Sequence, residues 1–316
     1  MLNRHIYTSD ILPGFEQLTI NLPNDYEGKV VTTLVRKFYP FPSSKAVLYI
    51  HGFQDYFFQT ELADRFIEHG YNFYAIDLRK SGRSLLSNQI PYNMRDINDF
   101  YADISAAVTQ IKSEDNTELV INAHSTGGLI AALYLHKYKD ACNALILNSP
   151  FLELNKKWSI RKIELPLLNL INRMFPKIKI KGTFSPFYGQ SIYKGYHGEW
   201  DYNLEWKPIS ASYVTSSWIS AIYRAHKQIK RKLKIQIPVL VMSSEQSIKN
   251  KEWTDGFKKA DAVLNVKDIR KYAYYLGNNI TTVSFKNGMH DLILSSKPIR
   301  EKVYQTMFDW LDKIIR

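Results

Sequence analysis

Cysteine is almost absent from this sequence of 316 residues, in which Cys142 stands alone. A single cysteine excludes an intramolecular disulfide, a zinc-finger framework and a thiol redox pair, and it fits a reducing compartment. Long apolar runs are missing too: no run of about 18 apolar residues is available to span a membrane, and the first residues lack the apolar core of a secretory signal. We therefore expect a cytoplasmic protein, with contact at a membrane surface left open.

Acidic residues are scarce in one part of the chain. Between Phe151 and Leu240 there are 16 Lys and Arg but only 5 Asp and Glu, so this stretch carries +11 of the formal net charge of +12. Such a stretch predicts attraction to anionic lipid, nucleic acid or acidic substrates, or else a solvated surface that maintains solubility. Nucleic acid is disfavoured as a partner, because the basic residues are interspersed with apolar ones and match no recognition motif.

The remaining composition, 45% hydrophobic and 23% charged, is that of a globular protein with a full core. Six short β-rich runs occur in the first half, several of them continuously apolar, which is typical of parallel strands buried on both faces. Helical patterns between them provide the crossovers of βαβ units. The predicted strands are Gln17–Leu22, Lys29–Phe38, Ala46–Ile50, Asn72–Leu78, Glu118–Ala123 and Ala144–Asn148, and the predicted helices are Thr60–His69, Asp96–Lys112 and Gly127–Tyr138.

This alternation is interrupted from 152 to 236, where the pattern becomes aromatic, basic and irregular. It then resumes with two strands and two helices, at Pro238–Met242, Ile280–Phe285, Val266–Leu276 and Ile299–Ile315. Since the same alternation returns, the sequence predicts one α/β domain, formed by 1–151 and 237–316, with a mostly parallel sheet of about eight strands flanked by helices. The segment 152–236 is predicted to be a cap inserted after the sixth strand.

The segment Leu119–Leu129, LVINAHSTGGL, places a serine between a buried strand and a helix. Its pattern is GxSxG with Ala123 at the first glycine, and Ser125 stands at the apex of the turn. A nucleophile on such a turn needs small neighbours, because strand and helix converge there and the serine must hold a strained backbone with its hydroxyl exposed. We therefore predict that Ser125 is a catalytic nucleophile rather than an incidental residue of a βα turn.

A serine hydroxyl needs a base to remove its proton. Of the eight histidines, His290 follows a strand near the C-terminus, which places it at the carboxyl edge of the sheet in the chain order Ser, acid, His. The acid would hold the imidazole in the correct tautomer. Asp261 is favoured, because it has an Asp-x-Val-hydrophobic context behind a short insertion, 246–260, whereas Glu245, nearer the strand end, and Asp291 remain alternatives.

Acyl transfer also needs hydrogen-bond donors for the developing oxyanion. The third predicted strand ends in His51-Gly52-Phe53, which would bring the amide of Phe53 beside that of Thr126, the residue after the serine. Gly52 permits the chain to approach closely. We expect His51, Gly52 and His124 to border the substrate, with the side chain of His124 directed away from the serine hydroxyl.

Three blocks of the sequence resemble the α/β-hydrolases, in particular the group containing monoacylglycerol lipases, lysophospholipases and serine aminopeptidase-like proteins. They are Tyr49–Ser84, which looks like the HGxxx(D/E) turn followed by the DxxGxGxS turn, Leu119–Leu135, and the tail from PVLVMSS to GMHDLILSS. The resemblance implies an α/β-hydrolase fold with nucleophile, base, acid and oxyanion-hole amides at Ser125, His290, Asp261, Phe53 and Thr126. This sequence departs from the family pattern at Ala123 and at the serine-rich end of the strand that precedes the acid.

The function expected first is a serine esterase acting on a carboxylic ester with a lipid-like acyl chain, such as a monoacylglycerol or a lysophospholipid. Apolar side chains of the cap are expected to line an acyl groove, while its basic residues would meet phosphate or an anionic membrane. No cofactor or metal is implied, since water is the second substrate. The groove residues are Trp158, Leu165, Leu167, Leu168, Leu170, Ile171, Met174 and Phe175, and Trp200, in the aromatic run 184–206, is expected to close the pocket.

Two other functions remain open. A peptidase that removes N-terminal residues needs an acidic group for the substrate amine, and the few acidic residues of the cap lie among basic ones. A non-catalytic binding protein with the same fold is expected to have lost the nucleophile or the base, whereas Ser125 and His290 are both present.

Overall fold

A computed structural model describes residues 6–157, 159–172, 174–181, 185–210 and 213–315. Its strands form a nine-stranded sheet of order β1-β2-β3-β5-β4-β6-β7-β10-β11 and a separate two-stranded sheet of β8 and β9. The strands are β1 (Thr8–Ser9), β2 (Glu16–Asp25), β3 (Gly28–Lys37), β4 (Lys45–Ile50), β5 (Asn72–Asp77), β6 (Glu118–His124), β7 (Ala144–Asn148), β8 (Lys179–Lys181), β9 (Tyr213–Thr215), β10 (Val239–Ser244) and β11 (Ile280–Phe285).

Eight α-helices lie in the described ranges, and the connections that precede strands β5, β6, β7 and β11 all contain one. Short 3-10 helices span Gly82–Ser84, Ile97–Phe100, Asp255–Lys258 and Leu292–Leu294, and a π-helical turn spans Ile160–Glu164. The α-helices are α1 (Thr60–Glu68), α2 (Tyr101–Lys112), α3 (Ser125–Lys137), α4 (Leu165–Ile171), α5 (Pro186–Ile192), α6 (Ser216–Lys230), α7 (Val266–Ala273) and α8 (Lys297–Ile314).

The predicted fold class is confirmed, because the sheet is parallel from β5 through β11 and antiparallel only among β1, β2, β3 and β5. The sheet has nine strands rather than about eight. The additional strand, Thr8–Ser9, is two residues long, too short for a hydrophobic period to reveal it. The segment after Ala144–Asn148 therefore follows the seventh strand of the structure and not the sixth.

The central strands are buried on both faces, as their continuous apolar runs predict. Along β4, Ala46, Leu48 and Ile50 pack into the cluster that contains helices α2, α3, α6 and α7, whereas Val47 and Tyr49 pack into the cluster that contains α1 and α8. Successive side chains of a strand point to opposite faces, so one strand supplies both clusters. Each fully buried aliphatic side chain stabilises the fold by about 1.5–3 kcal/mol.

The segment 152–236 contributes helices α4, α5 and α6 and the pair β8–β9, and its described residues add no strand to the main sheet. Helix α6 packs through Trp218, Ile222 and Ile229 into a core cluster of the sheet. That this segment acts as a cap over the site stays a prediction. Across the part of the chain described by the structure, none of the helices combines the length and apolarity that a bilayer crossing needs.

Candidate active site

The turn between β6 and α3 presents Ser125 in a strained backbone conformation. Its φ angle is +50°, in the left-handed region that L-residues with a side chain rarely adopt. Gly127 lies two residues further, where an added Cβ would be 2.7 Å from the carbonyl oxygen of Ile50 and would also clash with that of His51. The small residues read from the sequence are therefore required, because the start of α3 passes directly over the end of β4.

Ser125, His290 and Asp261 form a continuous hydrogen-bonded chain. The distance from Ser125 Oγ to His290 Nε2 is 3.0 Å, and that from His290 Nδ1 to Asp261 Oδ2 is 2.9 Å. A carboxylate only accepts, so Nδ1 carries the proton of the neutral ring and Nε2 is left to accept from the serine hydroxyl. All three residues are buried, with 7%, 3% and 0% exposure for Ser125, His290 and Asp261.

Asp261 lies beside the residues that follow β10, although the excursion 246–260 separates it from the strand in sequence. Its backbone N–H donates to Gln246 O at 2.9 Å, and its carbonyl accepts from the Ile248 N–H at 2.9 Å, so 246–260 leaves the sheet and returns beside its starting point. The second carboxylate oxygen, Oδ1, accepts from the amides of Val263 and Leu264 at 2.8 and 2.7 Å. These bonds fix the carboxylate, so that Oδ2 points at the imidazole.

The two alternative acids do not contact the imidazole. Glu245 is exposed at the end of β10. Asp291 follows His290 in the chain, but its Oδ1 accepts from Asn148 Nδ2 at 2.6 Å, and its Oδ2 is 3.9 Å from His124 Nε2. The geometry therefore favours Asp261 over both alternatives.

The two amides expected to form an oxyanion hole belong to residues that border the same cavity as Ser125. Phe53 and Thr126 both line it, and a Cβ added to Gly52 would be 3.3 Å from Ser125 Cβ. The absence of a side chain at Gly52 thus lets the β4 turn approach the serine. The ring of Phe53 packs against Trp218 of α6, with ring centroids 4.5 Å apart.

The four residues expected to border the substrate divide into two groups. Gly52 and His124 line the cavity, whereas His51 and Trp200 lie outside its lining. His51 is occupied by the backbone: its Nε2 accepts from the Leu78 N–H at 3.0 Å and its Nδ1 bonds to Gly52 O. The indole of Trp200 donates to Leu294 O at 2.9 Å. Both therefore fix loops around the site, a role that the sequence pattern did not distinguish from substrate contact.

His124 lies beside the base. Its Nδ1 is 3.1 Å from Asn148 O, and its ring centroid is 4.9 Å from that of His290. Burial lowers the pKa of His124, and the attraction of Asp291 only partly opposes this effect. The ring is therefore kept neutral beside His290, and its Nδ1 is held by the backbone carbonyl of Asn148.

A cavity of about 540 Å³ opens above the serine and the base, a size typical of small-molecule sites. Residues of 152–236 and of 246–260 supply most of its walls, and Phe257 of the excursion packs against Phe187 of α5 with centroids 5.0 Å apart. The apolar lining includes Phe53, Phe151, Leu154, Ile160, Tyr188, Ile192, Tyr202, Pro208, Ile209, Trp218, Ile248, Phe257, Ala262, Val263 and Leu264.

The acyl groove expected from the sequence is not part of this cavity. None of the described groove residues lines it, and Leu167, Leu170, Ile171, Met174 and Phe175 instead expose large apolar side chains to solvent. Trp158 and Phe184, also singled out in the sequence, lie outside the described residues. Apolar character in this segment was interpreted as a groove, but these side chains of helix α4 and of the residues after it face solvent.

Sequence reasoning missed several polar residues of the cavity. Lys207 forms a buried ion pair with Asp55, with Nζ 2.8 Å from Oδ1. Burial alone would raise the pKa of Asp55, but the charges around it, that of Lys207 foremost, outweigh burial and lower it. Asp55 stands four residues after His51 in the His-Gly turn, so its position beside the predicted oxyanion residues was an available signal, whereas Lys207 lies 152 residues away and carries none.

Tyr188 of α5 covers the imidazole. Its ring stands edge-on to His290 with centroids 5.4 Å apart, and burial raises the pKa of its hydroxyl. In the described part of the chain this buried hydroxyl has no hydrogen-bond partner. The described residues also contain no group of three or more His, Cys, Asp or Glu side chains able to hold a metal ion.

Comparison with known proteins defines the class. The family model described as serine aminopeptidase, S33, matches residues 42–252, which is more than half of the chain. The chain therefore belongs to this family, and it is an α/β-hydrolase enzyme.

Three relatives are similar to almost the whole chain. The probable lysophospholipase L2 of Haemophilus influenzae is 25% identical over 321 residues, covering 96% of this chain and 95% of the relative. A soluble variant of monoglyceride lipase from Saccharomyces cerevisiae, solved with a substrate analogue, has a TM-score of 0.65 at 17% identity, with 93% and 95% coverage. The monoacylglycerol lipase of Paleococcus ferrophilus has a TM-score of 0.67 at 16% identity, with 88% and 98% coverage. The two solved structures show the shared fold.

Proposed function

We propose that this protein is a serine esterase that hydrolyses a single-chain lipid ester, such as a lysophospholipid or a monoacylglycerol, through Ser125, His290 and Asp261. The observation that carries the proposal is the hydrogen-bonded chain from Ser125 Oγ through the His290 ring to Asp261 Oδ2, at 3.0 and 2.9 Å. Such a chain, at the base of an apolar cavity, has the geometry of a nucleophile, a base and an orienting acid.

In the first step, Ser125 Oγ attacks the ester carbonyl while His290 Nε2 takes its proton. The amides of Phe53 and Thr126 are proposed to stabilise the oxyanion, a contribution of about 3–4 kcal/mol for each well-placed donor. Asp261 stabilises the imidazolium through Nδ1. When the tetrahedral intermediate collapses, the alcohol leaves with the proton from Nε2, and the acyl group remains on Ser125.

In the second step, water replaces the alcohol. His290 removes a proton from the water as its oxygen attacks the acyl carbonyl, and the proton then passes to Ser125 Oγ as the carboxylic acid is released. Burial of the three residues excludes bulk water from the proton path. Neutral His124, beside the ring of His290, avoids placing a second positive charge next to the imidazolium.

The cavity favours an apolar acyl chain over a peptide N-terminus. Its lining is mainly aliphatic and aromatic, and the one carboxylate among its described residues, Asp55, is already paired with Lys207. An aminopeptidase needs an acidic group for the substrate amine, and here the lysines of the cavity would repel it. These charges support an esterase over the peptidase alternative.

A series of p-nitrophenyl esters from acetate to palmitate tests this proposal. We expect kcat/KM to peak at medium or long chains, because each methylene that enters the apolar cavity adds about 0.8 kcal/mol of binding. A fluorophosphonate probe should label Ser125, as located by peptide mass spectrometry. A protein that cleaves none of the esters and remains unlabelled would contradict the proposal.

We also propose that the solvent-facing side chains of the 152–236 segment contact an anionic membrane. Leu167, Leu170, Ile171, Met174 and Phe175, here called the apolar patch, are exposed within the most basic part of the chain. Apolar side chains that enter a bilayer interface, next to lysines that meet anionic lipid headgroups, form a typical peripheral membrane site.

Vesicle sedimentation tests the membrane contact. We expect binding to vesicles of phosphatidylglycerol and phosphatidylcholine to exceed binding to phosphatidylcholine alone, and the double variant Leu170→Ser, Met174→Ser to bind about tenfold more weakly, because two inserted apolar side chains are lost. The control is Phe41→Ser, which lies outside the apolar patch. Phe41 is 65% exposed, an exposure similar to that of Leu170 and Met174. Equal binding of wild type and the patch variant would exclude this contact.

A further inference from the structure

The charges that line the cavity are unbalanced. Its described lining contains four lysines and one aspartate. Lys207 is neutralised by Asp55, with which it forms a buried ion pair. Lys156, Lys157 and Lys249, here called the lysine rim, also line the cavity, whose wall is otherwise largely apolar.

The lysine rim is assembled from two distant segments. Lys156 and Lys157 follow β7 at the start of 152–236, whereas Lys249 belongs to the excursion 246–260 that precedes Asp261. In the described part of the chain, neither Lys157 nor Lys249 forms an ion pair. Two segments thus bring positive charge to the same opening.

The charges of Lys156 and Lys249 lie close enough together to repel each other. Burial lowers the pKa of Lys156, and repulsion from Lys249 lowers it further. Like charges repel each other at a low-dielectric wall, whereas an anion placed between them is attracted by each. The neighbouring apolar lining would accommodate an acyl chain at the same time.

We propose that Lys156, Lys157 and Lys249 form an anion subsite that holds the phosphate of the substrate while its acyl ester lies at Ser125. This inference rests on the proposed esterase function and narrows it. A single-chain glycerol ester with an anionic phosphate would contact the lysine rim through its phosphate and the apolar wall through its acyl chain. A neutral monoacylglycerol satisfies only the apolar wall, so the lysine rim makes the enzyme selective for phosphate-bearing esters.

Two soluble substrates isolate the effect of the phosphate on kcat/KM. Hexanoyl-glycerol and hexanoyl-glycerol 3-phosphate share the acyl chain and the scissile bond and differ only in the phosphate. We expect wild type to prefer the phosphate ester. The double variant Lys157→Gln, Lys249→Gln should lower kcat/KM for the phosphate ester about tenfold, because two charge-assisted contacts are lost, and change that for the neutral ester less than twofold.

The matched control is Lys227→Gln, Lys232→Gln, which removes the same charge from exposed lysines of the same basic segment outside the cavity lining. It should leave the ratio of the two kcat/KM values unchanged. Raising the salt to 1 M shortens the Debye length to about 3 Å and should reduce the preference of wild type. If the double variant Lys157→Gln, Lys249→Gln lowers kcat/KM equally for both esters, the proposal is wrong.

A binding measurement keeps the subsite testable apart from hydrolysis. Calorimetry with Ser125→Ala should give tighter binding of hexyl phosphate than of hexanol, and the two rim substitutions should abolish the difference. If wild type cleaves neither ester but this difference is found, the esterase proposal fails and the anion subsite stands. If hexyl phosphate binds no better than hexanol, or only as well as inorganic phosphate, a substrate phosphate subsite is excluded.

Discussion

Replacement of Ser125 by alanine is expected to lower kcat for a p-nitrophenyl ester by about 10⁴-fold or more, because the atom that forms the acyl-enzyme is removed. The fold should be unaffected, since alanine is smaller than serine and the hydroxyl bonds only to His290 Nε2 among the described hydrogen bonds. Stopped assays at high enzyme concentration measure the residual rate, and circular dichroism measures the fold. Activity above about one hundredth of wild type would contradict the assignment of the nucleophile.

A second variant at the same position distinguishes loss of the hydroxyl from backbone effects. Ser125→Gly also lacks the hydroxyl, and it relieves the strain of φ +50°, which glycine adopts without steric penalty. Both variants should be equally inactive in the ester assay. The free energy of unfolding of Ser125→Gly, measured by urea titration, should exceed that of Ser125→Ala by about 1 kcal/mol.

Substitution of Asp261 by asparagine is expected to lower kcat by about 10⁴-fold. An amide has one acceptor oxygen and one donor group, and the amides of Val263 and Leu264 already donate to Oδ1. The side-chain NH₂ of the introduced asparagine would then face His290 Nδ1 and favour the tautomer that carries its proton on Nε2, where it cannot accept from Ser125. Pre-steady-state release of p-nitrophenol measures the acylation step directly.

The matched control for Asp261→Asn is Glu245→Gln. Glu245 is exposed at the strand end and was the nearest competing acid in the sequence, so its neutralisation should change kcat by less than about twofold. If Glu245→Gln lowers kcat more than Asp261→Asn does, Asp261 does not serve as the acid.

The fold could be predicted well because it depends on patterns within short segments. The six apolar runs of the first half and the two of the last part each coincide with a strand of the sheet, within a few residues at their ends. Burial on both faces requires continuous apolar sequence, which is visible without knowledge of the neighbouring strands. The two-residue strand β1 was missed, because its existence depends on its partner β2 and not on its own sequence.

The residues of the hydrogen-bonded chain could be proposed from sequence for a similar reason. Ser125 directly follows β6 and His290 lies on the loop after β11, and parallel strands bring their carboxyl ends to one edge. Asp261 does not directly follow a strand, so Glu245 remained open until the backbone bonds between Asp261 and Gln246 were known. The catalytic roles of all three residues stay predictions that the variants above test.

The cavity could not be predicted to the same extent. Its walls come from two irregular segments whose positions depend on tertiary packing, such as Phe187 against Phe257. Leu167, Leu170 and Ile171 of helix α4 were therefore assigned to a groove although they are exposed, and Trp200 was assigned to substrate although it bonds to Leu294. Hydrophobic character predicts that a side chain is covered, but it does not identify what covers it.

The excursion 246–260 is joined at its base by two backbone hydrogen bonds, from Asp261 N–H to Gln246 O and from Ile248 N–H to Asp261 O. The excursion is therefore a loop that is closed at its base, next to Asp261. Changes in the length of such a loop alter folding stability only weakly. Mutation can lengthen, shorten or replace the loop, and with it Lys249 and Phe257, while the backbone bonds hold Asp261 beside Gln246. Enzymes that evolve from this one can therefore change their substrate preference through this one loop, while Asp261 keeps its contact with His290.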